Sequence, residues 1–115
     1  MKLSEVHALT KQHLSQQAAQ SVLAGEAAYH GEDNKTCSTG HLISNDVYDA
    51  QMERFDIGEL IQCHPMLRDM LTIGDMPLTD MIEYYIGLQV IHDNYKPSEW
   101  LDQLNQLAND FNIDP

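Results

Sequence analysis

The sequence predicts a mainly α-helical single domain with a short β-hairpin or ordered loop inserted after the first helix. Apolar residues recur near a 3.6-residue period in several separate stretches. Helix start and stop residues bound those stretches, and one segment, about residues 26–43, breaks the pattern with turn residues. With 115 residues and 43% hydrophobic content, the chain can build one core but not two. No internal repeat, low-complexity tract or Gly/Ser linker divides it, so residues 1–115 read as one domain.

The first helix is expected from a Ser4 cap to about Ala24. Val6, Leu9, Leu14, Ala18 and Val22 form its apolar face, and Gly25 is its stop. Gly31-Glu32-Asp33-Asn34 has the chemistry of a hairpin turn, flanked by Ala27–His30 and Lys35–Ser38. A hairpin this short needs the helices to support it. Ser44 or Asn45 then caps a short helical turn through Tyr48 and Met52. Asp56 and Glu59 have capping-box spacing ahead of Leu60-Ile61-Gln62-Cys63, and Pro65 opens a short helix that Gly74 ends.

Thr79 caps a longer helix to about Asn94, with Met81, Ile82, Tyr85, Ile86, Val90 and Leu88 as its inward candidates. Gly87 within it lowers helix propensity by about 1 kcal/mol against alanine, which favours a close helix contact as its purpose. Pro97 starts the last helix, where Trp100, Leu104, Leu107 and Phe111 make a single stripe expected to bury against Tyr85, Ile86 and Val90.

Charge narrows the function. Six Lys and Arg stand against eighteen Asp and Glu, a formal net charge of −12, and fourteen of the acids follow Thr36. Such a field repels nucleic acid and anionic membrane and attracts basic surfaces, so the expected partner is a basic protein. No apolar run approaches the roughly 20 residues that span a bilayer. Met1–Thr10 has no uninterrupted apolar stretch of the secretory kind, and two cysteines fit reduced thiols in a cytoplasmic setting.

Chemistry-bearing residues are few. Cys37 lies among turn residues, where exposed backbone N–H groups lower a thiol pKa, and folding can bring His30, His41 or His64 near as a base, the rival hydrolase or redox reading taking Cys37 with His41. Cys37, His41, Cys63 and His64 supply four zinc-compatible side chains, but the paired Cys-x-x-Cys signature is missing. His92-Asp93 falls at a helix end, where the macrodipole favours a charged imidazole, so a structural role is expected. Asp46, Asp49 and Glu53 would share one face of a continuous helix, an acidic ridge for a partner. They lack the calcium-loop pattern. Walker A, Gly-x-Gly-x-x-Gly, Gly-x-Ser-x-Gly and His-Glu-x-x-His motifs are all absent, and no cofactor is expected.

An ordered set of short motifs runs through roughly residues 27–111. It comprises Cys37-Ser-Thr-Gly40, Leu42-Ile43, Tyr48-Asp49, Met52-Glu53 and Leu88-Gln89-Val90-Ile91-His92-Asp93, followed by Pro97, Trp100, Leu104 and Ala108. The set resembles a family of small uncharacterised bacterial and phage proteins. Their pattern reads Cys-x-x-Gly, Leu-Ile-Pro-Asp, Tyr-Asp, Met-Glu-Gly and Leu-Gln-x-Ile-His-Asp. Ala27 stands where relatives have a first cysteine, His30 replaces an arginine, Thr39 an aliphatic residue and Ser44 the proline. The lost cysteine pushes Cys37 towards a structural role. The resemblance carries over no activity and implies an accessory protein of a phage or mobile element. The resulting expectation is an acidic, intracellular, protein-binding factor, with a Cys37/His41 enzyme and a zinc-stabilised adaptor as its rivals.

Overall fold

The computed structural model describes residues 1–113. Helix α1 (Leu3–Gln17) begins ahead of the expected Ser4 cap, with Lys2 at the N-cap and its backbone N–H donated to Glu5. It turns Val6, His7, Thr10 and Leu14 inward and leaves Leu9 exposed. The helix stops well before the expected Ala24. Gln17 donates Nε2–H to the Thr36 carbonyl at 2.9 Å and accepts the Thr36 N–H at 3.0 Å, as a paired strand would. Ala18 then takes a left-handed backbone, φ 51°, which costs a non-glycine residue about 1–2 kcal/mol.

Val22, expected on α1, instead opens a hairpin. Strands β1 (Val22–Leu23) and β2 (Glu26–Ala27) run antiparallel, with Val22 opposite Ala27 and Leu23 opposite Glu26. Ala24 (φ 53°) and Gly25 (φ 83°) are both left-handed, as a tight two-residue hairpin turn requires. Gly25 is therefore a turn residue and not a helix stop.

The turn expected at Gly31–Asn34 is present, with the Gly31 N–H donated to the Lys35 carbonyl at 2.8 Å. Its flanks make only one antiparallel bridge, His30 opposite Thr36, so the sheet lies earlier than expected. Beyond the bridge the chain folds back on itself. Gly40 lies so close to Tyr29 that an added Cβ would overlap the Tyr29 carbonyl.

The Ser44 carbonyl accepts the N–H groups of Val47 and Tyr48 at 3.1 and 2.9 Å, a single turn. Asp49 is extended (φ −132°, ψ 136°) and caps a separate 3-10 turn, Ala50–Arg54. No continuous helix runs from Ser44 to Met52.

The remaining helices form the packed half. The capping box on α2 (Ile57–Cys63) is as expected: Asp56 accepts the Glu59 N–H at 2.8 Å and Glu59 accepts the Asp56 N–H at 3.3 Å. Helix α3 (Pro65–Leu71) opens on Pro65 and ends at Thr72, before Gly74. Helix α4 (Leu78–Asn94) starts one residue ahead of Thr79. A 3-10 turn at Pro97–Glu99 leads into α5 (Trp100–Asp110).

Helix α4 buries Met81, Tyr84, Tyr85, Leu88, Ile91 and His92. Ile86 and Val90, expected inward, are each 42% exposed. The α5 stripe meets a different surface: Phe111 stands edge-on to Tyr84 at 5.4 Å, and a Cβ on Gly87 would come within 2.8 Å of Leu107 Cδ1. Gly87 is thus a close helix contact, as its cost implied. Trp100, Leu104 and Leu107 are buried, each contributing about 1.5–3 kcal/mol of apolar transfer. The radius of gyration, 13.1 Å, matches about 13 Å for one folded unit of this length. No helix among the described residues is long and apolar enough to cross a membrane.

Candidate functional site

Cys37 lies in the core, 0% exposed, within the loop that folds against Tyr29. Its Sγ accepts the Gly40 N–H at 3.2 Å and lies 3.4 Å from the Thr39 hydroxyl. Burial outweighs these bonds and pushes the thiol up to about 11, so it stays protonated at neutral pH. The His41 ring bonds the Thr10 hydroxyl through Nε2 at 2.9 Å instead of the thiol. Burial, then the neighbouring His13, lowers His41 to about 4. The Cys37/His41 pairing is therefore not assembled as a nucleophile and base.

The four zinc-compatible residues are likewise kept apart in role. Cys63 is exposed, and His64 Nδ1 accepts the Leu67 N–H at 3.3 Å to cap α3. Among the described residues no group of three or more His, Cys, Asp or Glu side chains is placed to hold a metal.

Ser21, His92 and Asp93 meet in space with the composition of a hydrolytic triad, but their bonds run differently. The Ser21 backbone N–H donates to His92 Nε2 at 2.9 Å, which places the ring proton on Nδ1, 2.7 Å from the Asp93 carboxylate. The Ser21 hydroxyl donates to the Lys35 carbonyl at 3.1 Å. The imidazole is fully buried and stacks on Trp100, so its lone pair serves the fold. This is the structural role expected of His92, made through burial in place of the helix macrodipole.

The acidic trio separates. Asp46 and Asp49 are exposed, and Asp49 holds its own turn through the Gln51 N–H at 2.8 Å. Glu53 turns inward: its carboxylate accepts the Tyr29 N–H at 2.9 Å, the His30 N–H at 3.2 Å and the Tyr48 hydroxyl at 2.6 Å. A continuous helix would have put it beside the other two. The extended backbone at Asp49 is what breaks that face.

Between α1 and the insert lies a cleft of about 580 Å³ whose lining includes His13, His30, Lys35, Thr36, His41 and Asn45, with no carboxylate. Sequence spacing shows no relation among these histidines; the tertiary fold brings them together. His13 and His41 stack at 4.6 Å, and His13 Nε2 reaches the Thr36 carbonyl at 3.1 Å. His30 Nε2 reaches the carbonyls of Gly40 and Ile43 at 3.0 and 2.9 Å, and its ring stacks on Tyr48. The Nε2 atoms of all three rings are thus engaged in bonds that fasten the insert to itself or to α1.

No protein family, curated protein or solved structure matches the chain.

Proposed function

We propose that the protein is a small acidic, intracellular, non-enzymatic accessory factor that binds a basic partner protein. Its concrete form is a phage or mobile-element product acting on a nucleic-acid-binding host protein. The observation that carries this reading is the net charge of −12, held on a folded surface. Exposed charge of one sign steers association with the opposite sign and is screened beyond about 8–10 Å at physiological salt. The internal engagement of Cys37, His41 and His92 supports a binding role over the Cys/His enzyme. The burial of Cys37, the exposure of Cys63 and the engagement of His64 Nδ1 in the α3 cap favour it over the zinc adaptor as well.

Affinity capture on the intact protein at low and high salt tests this. Basic proteins should be retained at low salt and released at high salt. The double variant Asp46→Asn, Asp49→Asn should slow their association without loss of fold. Glu53 is left intact because its carboxylate holds the insert. Retention of acidic and basic proteins alike, insensitive to salt, would reject the reading.

A further inference from the structure

We infer that the groove between the start of α2 and the outer face of α4 is the docking surface for a basic amphipathic helix of the partner. This rests on the proposed basic partner and assigns it a site. Ile86 and Val90, one helical turn apart, leave an apolar ridge in solvent, and Phe55 beside it is 47% exposed. At its α2 side the ridge comes close to Gly58: a Cβ there would lie 3.5 Å from Ile86 Cδ1, ordinary van der Waals contact.

Two small clefts flank the ridge. One, of about 210 Å³, is lined by Asp56, Ile86, Gln89, Val90 and Asp93 among others. The second, of about 200 Å³, shares Asp56, Gln89 and Asp93 and extends to Phe55. The two adjoin at Asp56, Gln89 and Asp93, the first holding the ridge and the second running from Phe55 to Ala27, Tyr29 and Glu53 of the insert; carboxylates line both, with no Lys or Arg in either.

The chemistry selects the occupant. Ridges spaced by four residues accept side chains of the same spacing on a facing helix, whereas strand addition needs unpaired backbone that α4 does not offer. Asp56 Oδ1 is engaged in the α2 cap and Asp93 Oδ1 by His92, while no hydrogen bond among the described residues uses the Oδ2 of either. Those oxygens suit Lys or Arg flanking an apolar anchor. A second copy of this chain is disfavoured, because it would bring the same −12 charge.

The test is a nuclear magnetic resonance titration of the full chain with a short synthetic Leu/Lys peptide, leucines on one helical face. A scrambled peptide of the same composition is the control. Amide shifts should centre on Phe55, Asp56, Ile86, Val90 and Asp93, and the scrambled peptide should bind about tenfold more weakly. Val90→Lys and Ile86→Ser, both at exposed positions, should each weaken binding about tenfold while leaving the rest of the spectrum folded. Shifts centred on Asp46 and Asp49 or on the histidine-lined cleft would overturn the site and leave the proposed function standing. So would undiminished binding to Val90→Lys. Equal binding of the scrambled peptide would overturn the helical occupant, and failure of every basic peptide to bind would overturn site and proposed function together.

Discussion

The segment between α1 and α2 and the bundle of α2, α3, α4 and α5 share one apolar core, to which the segment gives Tyr29, Cys37, Ile43 and Met52, but they differ in what else holds them. The first is fastened by directional polar bonds: Gln17 to both backbone groups of Thr36, Glu53 to the N–H groups of Tyr29 and His30, and Ser38 to the Leu88 carbonyl at 2.6 Å. The second rests on apolar area, with Leu67, Leu71, Leu88, Leu104 and Tyr84 almost fully buried. Apolar contact is non-directional and tolerates small shifts, whereas a buried donor without its acceptor loses a full desolvation penalty. The insert should therefore fail one bond at a time, and the bundle by lost volume.

The sharpest test of the bundle is Trp100→Ala. The indole is buried, stacks on His92 and donates Nε1–H to the Tyr95 carbonyl at 3.1 Å. Its removal should cost about 3–5 kcal/mol in chemical denaturation. A melting temperature unchanged by this substitution would show α5 undocked. For the insert, Glu53→Ala strands two backbone donors and the Tyr48 hydroxyl and should cost about 3 kcal/mol. Hydrogen exchange should rise chiefly in residues 28–55 while α4 and α5 stay protected; uniform loss of protection would merge the two regions into one cooperative unit.

Acid should act through the junction of the two regions. In the folded chain burial holds His41 at about 4, against 6.5 for an ordinary histidine. Between those values the unfolded chain binds the proton and the folded chain does not. Stability is then present above pH 6.5 and lost as pH falls towards 4, by about 2 kcal/mol after allowance for partial exposure. His7, also lowered by burial, acts in the same direction. Denaturation midpoints measured across this range should fall with acid, less steeply in His41→Asn; a parallel fall in both would remove His41 as the cause.

The smallest effect concerns the thiols. A thiol reagent should label exposed Cys63 in the native protein and reach buried Cys37 only after denaturation. Cys37→Ser should cost about 1 kcal/mol, because the hydroxyl can still accept the Gly40 N–H. Native labelling of both cysteines would open the insert and weaken the contrast.

Much of the helical half was legible in the residues. Asp56 with Glu59, Pro65 and Pro97 marked starts that local chemistry sets: a side chain bonding a free N–H, or a ring fixing φ. The facing of α4 was legible only in part: Met81, Tyr85 and Leu88 are buried as expected, Ile86 and Val90 are not. Its apolar residues lie all round it, so Ile86 and Val90 suited an inward phase as well as Tyr84 and Leu88 did. The two tyrosines settled the phase through partners far along the chain: Tyr84 bonds His7 at 2.8 Å and Tyr85 the Leu71 carbonyl at 2.9 Å. The candidate groove follows from that choice, because the rejected apolar pair faces solvent.

The sequence by itself determined the mainly helical class, a turn-rich interruption after the first helix, the capping box of α2 and the acidic field. Each of these depends on neighbours along the chain or on a simple sum of charges. Only the tertiary structure decided that α1 ends at Gln17, that Glu53 faces inward while Asp46 faces out, and that the histidines at 13, 30 and 41 share a cleft. Those outcomes depend on groups tens of residues apart, such as Gln17 with Thr36 and Glu53 with Tyr29. A buried donor accepts whichever acceptor the folded chain brings to it, and periodicity carries no record of that meeting.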